Sequence, residues 1–276
     1  GETIFRERNF FGVLRVTQDH DARFRLLVYG HTMHGKQSTD PELRGVPLAY
    51  YHPTGPAGDV LGPLPERERA QPAPSPRRVG VIGLGVGALA AYARPGDTWT
   101  FFEINPAVVD IARAHFTFLG DAPKEAKLEV EIGDARLRLR DGAPERFDVL
   151  VLDAFTSDAI PIHLVTREAL AVYRRALAPE GLLLAHVSNR HVKLQPILAA
   201  LAKEAGMAAL DREDVLFDPA LARAGKADSE WVVLASSPAA LEPLRSAHEG
   251  WRPLEPSAAS RVWTDDFANV LGAVRF

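Results

Sequence analysis

Two carboxylates, Asp153 and Asp158, flank Thr156 and Ser157 in VLDAFTSDAIPIHL, the run from Val151 to Leu164 in which an apolar stretch breaks into turn-forming residues. Acids at the lip of a sheet can hold an ammonium group through charge-assisted hydrogen bonds. They can also prepare an amine for attack, because a free amine with a proton affinity like that of lysine, pKa about 10.4, must lose a proton before its lone pair is available. Asp153 is the candidate proton acceptor and Asp158 the candidate substrate anchor. The competing reading of TSDAIP is a capping turn in which the acids only satisfy backbone N–H groups.

A second group of residues lies upstream. In GLGVGALA, Gly83, Gly85 and Gly87 stand between an apolar run and a helical one, where a missing Cβ lets the backbone approach a ligand. Glu103 follows about 20 residues later, the spacing at which an acid accepts hydrogen bonds from ribose hydroxyls. Asp134, with Ala135 beside it in EIGDA, is placed to receive an exocyclic adenine amine next to that ribose. A dinucleotide fingerprint also fits the glycines, but Asp134 favours a single adenosyl nucleoside. The bland alternatives are a tight turn for the glycines and helix capping for the two acids.

These residues need elements to hold them. From Arg78 onward, strand-like runs (RVGVIGL, TWTFFEI, KLEVEIG, FDVLVLDAF, GLLLAHVS, EWVVLASS) are interleaved with helical ones (GALAAYA, PAVVDIARAHF, TREALAVYRRAL, LQPILAALAKEAG). Such alternation predicts an α/β fold with a mostly parallel sheet covered on both faces, whose ligands bind beyond the carboxyl ends of the strands. Gly83, Glu103, Asp134 and Asp153 each follow a predicted strand. Upstream, FFGVLRV and FRLLVYG around the polar TQDHDA predict a small β-region. Seven prolines between Pro53 and Pro76 predict a connector with at most a short helix. The expected organisation is therefore a β-rich domain over 1–52, a connector over 53–78 and a nucleoside-binding catalytic domain over 79–276.

Bulk properties exclude several classes. A net charge of −4 offers no general attraction to nucleic acid, and none is expected as a partner. With no cysteine there is no disulfide, thiolate nucleophile or thiolate-bound metal. The longest apolar stretch, Val79 to Ala93, is too short to span a bilayer. The chain opens on Gly1 rather than Met, as a piece of a longer protein would.

The run DVLVLDAFTSDAIPIHLVTREAL, with GDARLRL before it and HVSNRH after it, resembles the spermidine-synthase-like aminopropyltransferases, above all the bacterial branch often fused to transporter-like membrane segments. The likeness extends through RNFFGVLRV, HGKQSTDPELRGVPLAYYHP, GVIGLGVGALAAYARPGD and WTDDFANVL. It implies a Rossmann-like, methyltransferase-type doubly wound sheet behind a small β-domain. It also implies aminopropyl transfer from decarboxylated S-adenosylmethionine to a small-molecule amine such as putrescine, releasing methylthioadenosine. By position it gives Gln37 and Tyr51 to the substrate wall, His52 to the nucleoside wall, Glu103 to the ribose, Asp134 to the adenine and Asp153 to proton acceptance. Asp158 aligns with the family's second acid only across a short insertion. A homodimer and a cytoplasmic setting are implied as well, with room for a membrane segment outside this chain. Two departures stand out: Val86 replaces an acid of the family's glycine loop, and Pro53 replaces the Glu that follows Tyr-His.

Other residues are weighed beside these. His34, in HGKQ, is a candidate pocket residue close to Gln37. His163, His186 and His191 match no compact ligand spacing, and no metal is expected. Ser157 lacks a nucleophile elbow. Asp265 and Asp266 are expected to start a last helix, Arg136, Arg138 and Arg140 to form a solvated face, and Trp231, Trp251 and Trp263 to be core or interface. Two rival functions remain open: methyl transfer from intact S-adenosylmethionine, and a catalytically idle polyamine- or nucleoside-sensing domain of a membrane protein.

Overall fold

A computed structural model describes residues 1–30, 32–62, 75–144, 146–155, 160–188, 192–257, 260–270 and 273. The chain begins with an antiparallel sheet of four strands in sequence order, β1 (Glu2–Asn9), β2 (Gly12–Gln18), β3 (Phe24–Tyr29) and β4 (Thr32–Ser38). The sequence pattern identified β2 and β3 but passed over β1, whose ETIFRERN is mostly exposed and carries too few apolar residues to register. A short helix α1 (Pro56–Leu61) starts on Pro56, where the missing N–H costs nothing.

The second sheet has eight strands in the order β12-β10-β11-β9-β8-β5-β6-β7: β5 (Arg78–Ile82), β6 (Thr98–Glu103), β7 (Lys127–Ile132), β8 (Phe147–Leu152), β9 (Leu177–His186), β10 (Ala208–Asp214), β11 (Ser229–Ala235) and β12 (Arg252–Pro253). Strands β5 to β9 pair in parallel, whereas β11, β10 and β12 join antiparallel at one side. The chain builds outward from β5 through β6 to β7, then returns to lay β8 on the other side of β5. That reversal opens a crevice beyond the carboxyl ends of β5 and β8.

At the centre of the sheet, where both faces are covered, β5, β6 and β8 are buried almost throughout, whereas β7 and β10 toward the edges keep charged residues. Side chains alternate between the faces: Val149 and Val151 enter one core with Trp99, Phe101 and Trp231, and Leu150 and Leu152 enter the other with Phe102, Leu183 and Leu234. The first face carries α1, α2 (Pro106–His115) and α8 (Pro238–Ala247), and the second α4 (Ala135–Asp141), α5 (Arg167–Ala176) and α6 (Gln195–Glu204). Asn105 caps α2 by accepting from the Ala107 N–H, and Thr166 caps α5 through the Ala169 N–H. Short helices α3 (Phe118–Asp121) and α7 (Pro219–Arg223) complete the set.

Three local expectations are corrected. GALAAYA forms a 3-10 helix over Ala88–Tyr92, because Gly87 at φ +78° and the Pro95 stop leave only about a turn and a half. Asp265 and Asp266 start no helix: Thr264 and Phe267 form an isolated bridge, and Asp265 accepts from Thr166 Oγ1 at 2.8 Å and from both Arg136 Nη atoms. Arg136 is accordingly a paired side chain rather than part of a solvated face. Trp231, Trp251 and Trp263 are all buried.

Polar ties fasten the parts together. Asp97, 1% exposed, receives the Arg77 guanidinium at 3.0 and 3.2 Å and the backbone N–H groups of Arg77 and Arg94, while Arg77 also donates to the carbonyls of Leu61 and Tyr92. This joins the end of the connector to the starts of β5 and β6. Asn9 Nδ2 donates to Asn105 Oδ1 at 2.8 Å and bridges the two sheets.

Candidate active site

Beyond the carboxyl ends of β5, β6, β7 and β8 lies a cavity of about 930 Å³, roofed by β2, β3 and β4 of the first sheet. Gly83, Gly85, Glu103, Asp134, Ala135 and Asp153 line it, as do His34 and Tyr51. The glycine loop is shaped by close approach. A Cβ on Gly83, at φ +102°, would sit 2.4 Å from the Asp153 carbonyl oxygen, and one on Gly85, at φ +54°, 2.6 Å from that of His34. Only glycine allows the loop to pass between β8 and β4.

Glu103, at the end of β6, is 8% exposed. Its carboxylate accepts from the Leu84 N–H at 3.1 Å and the Asn105 N–H at 2.8 Å. Burial raises its proton affinity, and the backbone N–H groups of Asn105, Leu84 and Ile104 only partly offset that. Asp134 follows β7 and serves two ends at once. Its Oδ1 caps α4 through the Leu137 N–H at 2.9 Å, and its Oδ2 lies 3.2 Å from His163 Nε2 at the cavity wall. Capping and ligand contact are therefore compatible readings of this side chain.

Asp153 follows β8 and is held on both oxygens: Tyr51 Oη donates to Oδ2 at 2.7 Å, and His186 Nδ1 lies 2.7 Å from Oδ1. Burial, followed by the Asp153 charge, pushes the Tyr51 phenol well above its ordinary value, so Tyr51 keeps its proton and remains a hydrogen-bond donor. His186 stacks on Trp231 with ring centroids 4.4 Å apart and 14° between planes. Its Nε2 meets Ser188 Oγ at 2.9 Å. The sequence pattern gave His186 no part in the site, since its partner is 33 residues away. Its one legible signal is that it ends a strand, as Asp153 does.

Three expected site residues lie elsewhere. Gln37 is buried with its amide spent on structure: Nε2 donates to the Arg44 carbonyl at 3.0 Å and Thr117 Oγ1 at 2.7 Å, and Oε1 accepts from the Thr117 N–H at 3.1 Å. His52 turns to Thr54, with Nδ1 3.0 Å from its hydroxyl, and burial followed by the Lys226 charge lowers its proton affinity. Gly87, at φ +78°, starts the 3-10 helix against Leu119. None of the three lines the cavity. Asp158, like Thr156, Ser157 and His191, lies outside the described residues. Val86, at the position of the family's acid, is 1% exposed and packs on Gly35, away from the cavity.

The sign of the cavity is one-sided. Besides Glu103, Asp134 and Asp153 it presents Glu213, Asp214, Asp228 and Glu230 from β10, β11 and the loop between them, and among the described residues no lysine or arginine lines it. One of these acids is neutralised from behind, where Lys226 Nζ lies 2.9 Å from Asp214 Oδ2. Among the described residues no group of His, Asp and Glu side chains is arranged to hold a metal, and no helix is long and apolar enough to cross a membrane.

No protein-family model matches the chain. A polyamine aminopropyltransferase from Vibrio vulnificus is 34% identical to it over 118 residues, 41% of this chain and 38% of the relative. A second, from Halorhodospira halophila, is 29% identical over 147 residues, 52% of this chain and 53% of the relative. These alignments thus span only about 38% to 53% of the relatives' own lengths. Among solved structures, a probable spermidine synthase from Corynebacterium glutamicum superposes over 96% of this chain and 97% of its own, with a TM-score of 0.65 and 17% identity. The chain is thus similar in sequence to aminopropyltransferases and has the fold of spermidine synthases.

Proposed function

We propose, from the premise of an aminopropyltransferase-like chain on a spermidine-synthase fold, that this protein moves an aminopropyl group from decarboxylated S-adenosylmethionine to a small amine such as putrescine. The observation that carries the reading is the cavity's charge: carboxylates after three strands, β6, β7 and β8, at one side and from β10, β11 and the loop between them at the other, with no lysine or arginine among the described lining residues. Such a wall favours a sulfonium bearing a free ammonium and a second, cationic amine. Among its described residues it offers no lysine or arginine to the carboxylate of intact S-adenosylmethionine, which supports the decarboxylated donor.

In this reading Glu103 accepts the ribose hydroxyls, Asp134 takes the adenine amine and the glycine loop admits the nucleoside. Asp153 removes one proton from the acceptor ammonium. The freed lone pair forms the new C–N bond at the methylene next to sulfur, the C–S bond breaks, and its electron pair leaves on sulfur as methylthioadenosine. Tyr51 and His186 keep the Asp153 carboxylate aimed while this happens, and holding amine and methylene in line supplies the orientation that solution lacks. Asp158 as the anchor of the amine's far end belongs to the same proposal. So do a homodimer and a cytoplasmic setting, both of which rest on the resemblance.

Val86 is the observation on the side of methyl transfer, since an apolar residue stands where the family holds the donor's amine. Calorimetric titration with S-adenosylmethionine, its decarboxylated form and methylthioadenosine, followed by product analysis with putrescine, separates the readings. Preference for the decarboxylated donor with release of methylthioadenosine supports aminopropyl transfer. S-adenosylhomocysteine as by-product supports methyl transfer, and binding without product supports a sensing domain.

A further inference from the structure

We propose that His186 is the positioning residue of Asp153 and that Ser188 locks it in the tautomer the role requires. The inference rests on the reading of Asp153 as proton acceptor given above. His186 ends β9 with its side chain 4% exposed, stacked on Trp231 and bounded by Tyr50 and Phe155 at centroid distances of 4.8 and 5.0 Å. A ring so enclosed has little freedom to turn.

The hydrogens can be assigned by following the contacts from one end. The Glu230 N–H donates to Ser188 Oγ at 2.7 Å, leaving the Ser188 hydroxyl hydrogen free to point elsewhere. It has two acceptors in range, His186 Nε2 at 2.9 Å and the Glu230 carbonyl at 3.5 Å, and the shorter contact is the better hydrogen bond. With Nε2 accepting, the ring carries its hydrogen on Nδ1, 2.7 Å from Asp153 Oδ1. An ionised carboxylate is an acceptor only, so the arrangement is matched at both ends. Asp153 then has one donor on each oxygen, Tyr51 on Oδ2 and His186 on Oδ1, which fixes the plane of a carboxylate that lines the cavity. Backbone pairing continues just past the end of β9, where the Val187 N–H donates to the Glu230 carbonyl at 2.9 Å, so the strand's alternation carries on: His186 and Ser188 share this line while Val187 between them enters the opposite core.

The test combines kinetics with a spectrum. His186→Leu fills the space without a donor, and His186→Asn returns an N–H near the position of Nδ1. With decarboxylated S-adenosylmethionine and putrescine, His186→Leu is expected to lower kcat about ten- to hundredfold, the range for losing one hydrogen bond to a charged acceptor, with amine KM and methylthioadenosine affinity within about threefold. His186→Asn is expected to recover most of that loss, and Ser188→Ala to cost about three- to tenfold. Nitrogen-15 spectra of the histidines in the wild-type protein are expected to show His186 as the Nδ1–H tautomer. An active wild type matched by His186→Leu overturns the inference and leaves the aminopropyltransferase reading standing. Equal losses in the Leu and Asn variants, accompanied by lost nucleoside affinity, also overturn it, as does an Nε2–H tautomer. A wild type that transfers no aminopropyl group to any amine removes the function itself and the positioning role with it.

Discussion

Tyr51 and Asp153 stand 102 positions apart in the chain and share a hydrogen bond of 2.7 Å, phenol to carboxylate, in the wall of the cavity. The pair joins the segment that follows the first sheet to the strand beside β5, so neither sheet alone could assemble the site. Replacing Asp153 with Asn keeps the shape but removes the proposed proton acceptor. Turnover is expected to fall by about 10²- to 10⁴-fold while methylthioadenosine still binds. Tyr51→Phe, which removes only the phenolic hydrogen bond, is expected to lower kcat about tenfold. Steady-state kinetics beside calorimetry checks both, and undiminished turnover in Asp153→Asn would take Asp153 out of the mechanism.

On the proposal that Glu103 accepts the ribose hydroxyls, nucleoside binding acquires a pH dependence. Burial holds its proton affinity above that of an ordinary carboxylate, whose pKa is about 4.3. Because only the ionised form can accept both ribose hydroxyls, methylthioadenosine affinity is expected to weaken on acidification while the solution is still above that ordinary value. For the free protein the sign is the reverse of a salt-bridged acid. A raised folded pKa contributes stability that is full below the unfolded value and is lost as pH rises through the folded one. Glu103→Gln should flatten the binding profile, and an unchanged slope in that variant would assign the effect to another group.

Asp97 carries the opposite sign. Burial pushes its proton affinity up, but the Arg77 N–H, the Arg77 guanidinium and the Arg94 N–H together outweigh burial and hold the carboxyl below the usual range. Its contribution is full above the unfolded pKa of about 3.9 and is lost as pH falls through the lower folded value. Asp97→Asn leaves the Arg77 guanidinium without its charged partner at the junction of connector and sheet. The expected cost is about 3–5 kcal/mol. Urea unfolding at neutral pH and at pH 3 should show the gap between wild type and variant narrowing at the lower pH.

Val86 gives a test of donor recognition. Since its buried side chain faces Gly35, Val86→Asp does not simply supply the acid that the resemblance implies at this position. It buries a carboxylate with no partner, at an expected cost of about 3–5 kcal/mol. Chemical denaturation reads this directly. A variant of full stability with tighter binding of the decarboxylated donor would show instead that an acid at this position reaches the cavity.

The parallel sheet was legible because its central strands β5, β6 and β8 are buried and its helices carry caps and a helical apolar period, signals local enough to be read along the chain. The positions of Gly83, Glu103, Asp134 and Asp153 followed from the same alternation, since residues after parallel strands converge on one edge. Strand β1 was not legible: ETIFRERN is paired through its backbone and buries little. The first sheet's turn toward the cavity, and the withdrawal of Gln37 into a structural contact with Thr117, depend on which surfaces meet across 80 residues of chain. Only the tertiary structure put His186 between Asp153 and Ser188 and collected the acids of β10 and β11 opposite the nucleoside edge. The physical reason is that a side chain's type and its place on a strand are encoded locally, whereas its partner is chosen by sheet order, and β8, β9 and β11 become neighbours only once the sheet has assembled.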